Sequence, residues 1–270
     1  MGIIGSLGTI TPPMGVARGA RHYWWMVEAV ATLGFTSRAA MDRVPEPELM
    51  DDAQQALAYA SADFSAGDQA LIDRLQELFP SGLGVRLIDL GCGPGNISFR
   101  LAQRYTDASV LGVDGAAAML ELAVLALAQQ PGLQPRLRFS HHLLPDAGLP
   151  GGFSAVISNS LLHHLHDPAV LWQAVRQLAA PAACVYIKDL RRPASSAAAE
   201  ALLQRYLAEA PPVLQRDYLA SLHAAFTPEE VAQQLKVAGL AAQLQVAPVE
   251  DRYLEVWGVL AAAPPGRLAG

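Results

Sequence analysis

The stretch Val85-Arg86-Leu87-Ile88-Asp89-Leu90-Gly91-Cys92-Gly93-Pro94-Gly95-Asn96 decides the fold of this chain. Its apolar run ends in an acid and is followed by three glycines, which predicts a buried strand that leads into a tight turn. After the turn, apolar residues recur at helical spacing over 97–105. A strand, a glycine turn and a helix N-terminus form a site for a nucleotide, because free backbone N–H groups and the helix dipole face the ligand.

The spacing of the glycines distinguishes this turn from the dinucleotide-binding fingerprint, which needs its third glycine three positions after the second. Here Gly95 follows Gly93 after only two positions, and Asp89 precedes the first glycine. A second acid, Asp114, ends the predicted strand 109–114. It lies about 20 residues past the glycines, where an acid can bind both hydroxyls of a ribose. The pattern therefore favours a nucleotide ligand other than a dinucleotide.

The pattern Asp89-x-Gly91-x-Gly93-x-Gly95, followed by Asp114, resembles the first motifs of class I S-adenosylmethionine (AdoMet)-dependent methyltransferases. The histidine-rich segment 158–168 resembles the segment after the fourth strand in small-molecule members of that family, such as the ubiquinone and menaquinone biosynthesis type. The resemblance covers about Asp42 to Leu260. It implies methyl transfer from AdoMet to a small-molecule or peptide acceptor, with oxygen or nitrogen favoured, by in-line displacement.

Strands and helices alternate along the chain, which predicts an α/β fold of the Rossmann-like, three-layer type with helices on both faces of a mostly parallel sheet. The last two strands are joined by a short loop and must form an antiparallel C-terminal hairpin. The seven predicted strands cover 85–90, 109–114, 137–140, 153–158, 183–188, 242–246 and 253–260. We expect four regions: a variable or partly disordered extension (1–40), a cap of prefatory helices (41–82), the AdoMet-binding domain (83–262) and a tail (263–270).

The resemblance assigns the cofactor to the carboxyl ends of the strands. The turn, including Cys92, would hold the methionine part of AdoMet through its backbone. Asp89 would orient the amino group, directly or through water, and Asp114 would bind the ribose. Gly115 and Met119 would lie near the adenine, although Met119 is equally suited to the core of its helix.

Two further cofactor contacts are predicted away from the turn. Asn159, just after the fourth strand, would lie close to the sulfonium and the carboxylate of AdoMet. Tyr59 belongs to the prefatory helices, which often cover the cofactor in class I methyltransferases. Packing of Tyr59 on the core is an equally good interpretation.

The catalytic candidates are His163, His164 and Asp189. An acceptor hydroxyl or amine needs a base, and histidine is favoured because its unperturbed pKa is near neutrality. Asp189 is expected over the cleft, at the end of the fifth strand. An acceptor carboxylate would need no base, and Arg191 or Arg192 would then pair with it. No metal is predicted, because the histidine-rich segment has no nearby cysteine and no His-x-x-x-His pair.

Composition disfavours several other classes of protein. The net charge is −6 and no basic patch is evident, so a nucleic-acid partner is not expected. No uncharged apolar stretch reaches the length of a membrane-spanning helix. Cys92 and Cys184 suggest neither a disulfide framework nor a zinc site, which favours a reducing, cytoplasmic compartment. The oligomeric state stays open, with a homodimer among the options.

The aromatic segment 22–35 follows Arg18 and Arg21 and invites interpretation as a signal peptide. Glu28 interrupts it and the cleavage pattern is weak, so this interpretation is disfavoured. Translation from Met41, or a role as a lid or dimer contact, stays open.

Two competing functions stay open beside methyl transfer. An NAD(P)-dependent reductase is opposed by the glycine spacing and by the absence of a Tyr-x-x-x-Lys pair. A non-catalytic scaffold with the same fold is opposed by the intact glycine turn and its two acids.

Overall fold

The computed structural model describes residues 41–262, and the expectations for 1–40 and 263–270 lie outside these residues. The strands are β1 (Arg86–Leu90), β2 (Ser109–Asp114), β3 (Leu137–His141), β4 (Phe153–Asn159), β5 (Ala179–Leu190), β6 (Leu244–Val249) and β7 (Tyr253–Val259). The helices are α1 (Ala53–Ser61), α2 (Ser65–Leu78), α3 (Asn96–Arg104), α4 (Ala117–Ala128), α5 (Ala169–Leu178), α6 (Ser196–Tyr206), α7 (Pro212–Ala224) and α8 (Pro228–Val237). A single 3-10 turn, Leu162–His164, follows β4.

The seven strands form one sheet in the order β3-β2-β1-β4-β5-β7-β6, which confirms the predicted α/β fold. Strands β1 to β5 pair in parallel, and β7 is antiparallel to both β5 and β6, as predicted for the C-terminal hairpin. Strand β1 lies between β2 and β4, so the strand order reverses there. A crevice opens at the carboxyl ends of the strands at such a reversal, and this is where ligands bind in α/β folds.

The two faces of the sheet are covered by different helices. Leu87 packs with α2 and α3, whereas its neighbour Ile88 packs with α5 and α8 on the other face. This follows from the alternation of side chains along a strand. Both residues are fully buried, and each contributes about 1.5–3 kcal/mol of apolar burial. The carboxyl end of β1 is therefore held in a rigid core.

Two strands differ from the prediction by more than one residue at their ends, and the other strands agree to within one residue. Strand β5 starts at Ala179, directly after α5, because Ala179 pairs with Phe153 before a shift of register. No apolar alternation marks its first residues, so the sequence pattern misses them. Strand β6 extends to Val249 and includes Pro248, which is tolerated because β6 is an edge strand.

The prefatory helices stand beside the crevice. Helix α2 packs on α3, and α1 packs on α4 and α7. Within residues 41–262, none of the helices has the length and apolar character needed to span a membrane.

Candidate functional site

A cavity of about 740 Å³ lies at the carboxyl ends of the parallel strands. Most of the residues predicted for the site line it: Tyr59, Asp89, Gly91, Cys92, Gly93, Asp114, Gly115, Met119, Asn159, His163 and His164. Gly95 and Asp189 are not among the lining residues. The structure therefore brings the predicted cofactor residues and both histidines to one cavity.

The glycine turn leaves open space against its backbone. Gly95 has φ 94° and caps α3, and a Cβ atom there would lie 2.7 Å from the Phe139 ring. Gly93 has φ 52°, and a Cβ atom there would meet nothing within 4 Å. No side chain caps α3, so the N–H groups of its first turn stay available to a ligand.

Asp114 ties the turn after β1 to the end of β2. Its Oδ2 accepts a hydrogen bond from the Gly93 N–H at 2.7 Å, and its Oδ1 accepts one from the Ala116 N–H at 2.8 Å. Burial raises the pKa of Asp114, and these backbone donors oppose that rise. Each carboxylate oxygen can accept a second hydrogen bond, so Asp114 can still bind two hydroxyls.

Asp89 is an almost fully buried acid at the end of β1, with 1% of its surface exposed. Burial raises the pKa of Asp89 to about 7, although its Oδ2 accepts a hydrogen bond from the Ser98 hydroxyl at 2.6 Å. A cationic group nearby would favour the ionised carboxylate. Asp89 is thus suited to a ligand with an ammonium group.

Tyr59 and Met119 pack together in a small apolar cluster between α1 and α4, and both also line the cavity. The Tyr59 ring lies 4.8 Å from the Phe64 ring, measured between centroids. Core packing and a position beside the ligand are therefore compatible for both residues.

Asp189 lies behind His163 and not over the cleft, which corrects the position expected from the sequence. Its Oδ1 is hydrogen-bonded to His163 Nδ1, and its Oδ2 accepts the Leu162 N–H at 2.6 Å. The reason is the alternation of side chains along β5. Lys188 lines the cavity, whereas Asp189 points toward the 3-10 turn. Asp189 can orient His163 but cannot reach a ligand in the cavity directly.

Glu46 is a site residue that the sequence analysis missed. Its Oε1 lies 3.5 Å from His163 Nε2 and 3.3 Å from His164 Nδ1, and its Oε2 accepts a hydrogen bond from Ser221 at 3.2 Å. The three ligand atoms lie within 4.8 Å of one another, close enough to share a metal ion or a proton. The flanking prolines, Pro45 and Pro47, favour an extended segment but give no sign that Glu46 reaches the histidines, which lie more than 100 residues further along the chain.

The surroundings shift the pKa values of the two histidines in opposite directions. Burial alone would lower the pKa of His163, but the carboxylates of Asp189 and Glu46 raise it above its usual value. Burial, assisted by His163, lowers the pKa of His164 to about 3. His164 is therefore neutral at pH 7, and His163 is the stronger base of the pair.

Arg43 holds the histidine turn in place. Its guanidinium donates hydrogen bonds to the backbone oxygens of His163 at 3.0 Å and Leu165 at 2.9 Å. It also stacks on the Phe226 ring, with Cζ 4.0 Å from the centroid.

Arg191 and Arg192 do not line the cavity, contrary to the role expected for them. Arg191 donates to the Glu250 backbone oxygen at 3.3 Å, and Arg192 donates to the Ala225 backbone oxygen at 2.8 Å. Both side chains therefore connect neighbouring segments of the chain through hydrogen bonds to the backbone. The cationic residues that do line the cavity are Lys188 and Arg252.

Residues 88–185 match the profile of a protein family described as a methyltransferase domain. The chain is 41% identical over 106 residues to trans-aconitate 2-methyltransferase of Deinococcus radiodurans, and the match covers 38% of each protein. It is 32% identical over 122 residues to ubiquinone biosynthesis O-methyltransferase of Bordetella pertussis, covering 44% of this chain and 48% of that enzyme. The matches thus span less than half the length of these two relatives.

Solved structures share the fold at low sequence identity. The plantazolicin methyltransferase BamL, in complex with a triazolic desmethyl analogue and S-adenosylhomocysteine (AdoHcy), superposes with a TM-score of 0.60 at 15% identity. That match covers 77% of this chain and 90% of BamL. An S-adenosylmethionine-dependent methyltransferase from Aquifex aeolicus superposes with a TM-score of 0.54 at 16% identity, covering 77% of this chain and 98% of that one.

Proposed function

We propose that this chain, which carries a class I AdoMet-dependent methyltransferase domain, transfers the methyl group of AdoMet to a small-molecule or peptide acceptor. The observation that carries the proposal is the common cavity. The glycine turn, Asp89 and Asp114 border it together with His163, which is backed by Asp189. A nucleotide-binding half and a proton-accepting half thus face one space.

The cofactor half fits AdoMet by its donors and acceptors. The open space beside Gly93 accommodates the methionine part against the backbone. The buried carboxyl of Asp89 suits the amino group, and the remaining lone pairs of Asp114 suit the ribose hydroxyls. Gly115 and Met119 line the adjoining wall, where the adenine would lie, and Asn159 lies at the end of β4, near the reacting centre.

AdoMet supplies an electrophilic methyl group when bound. The residues of the chain align the acceptor with it and exclude water, which is how proteins accelerate in-line displacement. For a hydroxyl or amine acceptor, His163 Nε2 takes the proton while Asp189 holds Nδ1 as its donor. Asp189 is then a positioning residue. His164 is a neutral neighbour that shapes the pocket.

The O-methyltransferase names of relatives support an oxygen acceptor, and nitrogen stays an alternative. We further propose the reducing, cytoplasmic location predicted from the sequence, since Cys92 and Cys184 are both free thiols. Nothing favours a nucleic-acid partner over a small molecule or peptide.

The test is incubation with methyl-labelled AdoMet and a panel of phenols, alcohols, amines, carboxylic acids and short peptides. We expect label transfer to a hydroxyl or amine acceptor by the wild type, and loss of that transfer in Asp189→Asn. Protein that binds AdoHcy but transfers label to no class of acceptor would support the scaffold alternative instead.

A further inference from the structure

One wall of the cavity carries two cationic side chains that form no ion pair with any described residue. Lys188, at the end of β5, and Arg252, just before β7, both line the cavity. Neither forms an ion pair with a carboxylate within residues 41–262. A buried or half-buried charge without a partner is unfavourable, so this wall is suited to an incoming anion.

Arg252 is held by aromatic rings and by no acid. Its Cζ lies 3.5 Å from the centroid of the Tyr206 ring and 4.8 Å from that of Tyr253. Its Nε is buried and donates no hydrogen bond to any residue in the described part of the chain. Cation–π contacts fix the plane of a guanidinium but leave its N–H groups free to bind a carboxylate.

Two further donors border the same space. The buried Tyr218 hydroxyl lies beside Arg252 and can accept a hydrogen bond from its guanidinium, which leaves the hydroxyl proton free to donate to a ligand. Lys188 is 8% exposed, and its Nζ lies 4.3 Å from the centroid of the Tyr253 ring. A guanidinium, a phenol and an ammonium can all donate, whereas a carboxylate only accepts.

Three of the acids near this wall are engaged elsewhere, and a fourth, Glu250, lies near Lys188 but forms no ion pair with it within residues 41–262. Asp68 lies 3.8 Å from Arg100. Asp217 accepts hydrogen bonds from Arg216 and Gln55, both at 2.8 Å. Glu255 accepts from Tyr186 at 2.7 Å and Arg74 at 3.1 Å. These pairs leave the two cations of the wall free for a ligand.

Tyr218 places its part of this wall on the acceptor side of the cavity. Tyr218 lies on α7, which packs against α1 and the 3-10 turn that carries His163. The glycine turn instead leads into α3, which packs against α2 and the strands β2 and β3. A group bound by Tyr218 and Arg252 therefore sits on the side of the proton acceptor.

We propose that the methyl acceptor carries a carboxylate, which Arg252, Tyr218 and Lys188 bind while the atom to be methylated faces His163. The inference rests on the proposed function and narrows its substrate class to acidic acceptors. The carboxylate serves as an anchor, and a different atom receives the methyl group.

The test is an NMR titration of ¹⁵N-labelled protein saturated with AdoHcy, with sodium acetate as the probe. Acetamide is the neutral isostere, and sodium chloride controls for ionic strength. We expect a saturable shift of the Arg252 Nε–H signal with acetate and at least tenfold weaker binding of acetamide. Arg252→Gln removes acetate binding and Tyr218→Phe weakens it. Arg176→Gln, which changes an exposed arginine, leaves it unchanged.

Acetate shifts that match those of chloride would overturn the inference. So would a tenfold or greater loss of AdoHcy affinity in Arg252→Gln, since the anion would then be the carboxylate of the cofactor. Failure of the proposed function is distinguishable, because wild-type protein would then bind no AdoHcy or would transfer label to no acceptor, whereas acetate binding is measured independently of both. The comparison of acetate, acetamide and chloride uses wild-type protein, so it is valid even if a variant fails to fold.

Discussion

Cofactor affinity should depend on pH through Asp89. Its pKa lies at about 7 because the carboxyl is buried, and only the ionised form can pair with the ammonium group of AdoHcy. At pH 6 about one molecule in eleven has this carboxylate ionised, and at pH 8 about ten in eleven. The dissociation constant should therefore fall about tenfold from pH 6 to pH 8, which is about 1.4 kcal/mol.

The assay is calorimetric titration of AdoHcy at several pH values, in buffers with different ionisation enthalpies. Near pH 7 we expect binding to release about half a proton. Asp89→Asn should bind more weakly and show no such pH dependence, which separates Asp89 from the histidines. Ser98→Ala removes the hydrogen bond that favours ionisation and should move the transition to higher pH. A dissociation constant that is the same at pH 6 and pH 8 would refute the reasoning.

Ionisation of Asp89, which should strengthen AdoHcy binding, should lower the free energy of unfolding. Its folded-state pKa of about 7 lies above the 3.8 of an unperturbed aspartic acid, so the folded protein holds this proton more tightly than the unfolded chain. The contribution of Asp89 to the free energy of unfolding should be largest below about pH 4 and decline as pH rises to about 7, by up to about 4 kcal/mol. Urea unfolding of the ligand-free wild type, compared with Asp89→Asn, measures this difference.

Two further substitutions and one measurement on the wild-type protein have defined outcomes. Asp189→Asn should reduce methyl transfer by about 10²–10⁴ and leave AdoHcy affinity unchanged, because the amide oxygen would accept the Leu162 N–H and the amide NH2 group would then face Nδ1 of His163, which could no longer donate; equal losses in rate and affinity would contradict this. Gly95→Ala should lower the free energy of unfolding by about 1–3 kcal/mol, given φ 94° and a contact of 2.7 Å for the added Cβ, whereas Gly132→Ala, where nothing lies within 4 Å, should not. Purified protein should contain no stoichiometric metal by plasma mass spectrometry, because Nε2 of His163 must stay free to accept the proton of the acceptor while Asp189 holds Nδ1; one equivalent of zinc would contradict this.

The cofactor half of the site could be predicted from the sequence because its determinants are local. Asp89 and the glycines are contiguous, and Asp114 ends the next strand. Strand pairing brings these segments together in any parallel α/β sheet, so their meeting did not depend on loop conformations.

Only the two histidines of the acceptor half could be predicted, because distant segments build the rest of it. Glu46, Tyr218 and Arg252 come from three regions without a shared motif, and only the folded chain brings them to one cavity or its border. The direction of Asp189 depends on the alternation along β5. Arg191 and Arg192 looked free in the sequence but bind backbone oxygens of neighbouring loops.

The proposed function requires that the glycine turn and Asp114 bind AdoMet. The decisive measurement is calorimetric titration of the purified protein with AdoHcy, beside the Asp114→Ala variant and with NADH as the control ligand. We predict micromolar binding of AdoHcy, a loss of at least tenfold in Asp114→Ala from the missing charged hydrogen bonds, and no binding of NADH. Tight binding of NADH, or no binding of AdoHcy by folded protein, would contradict the account.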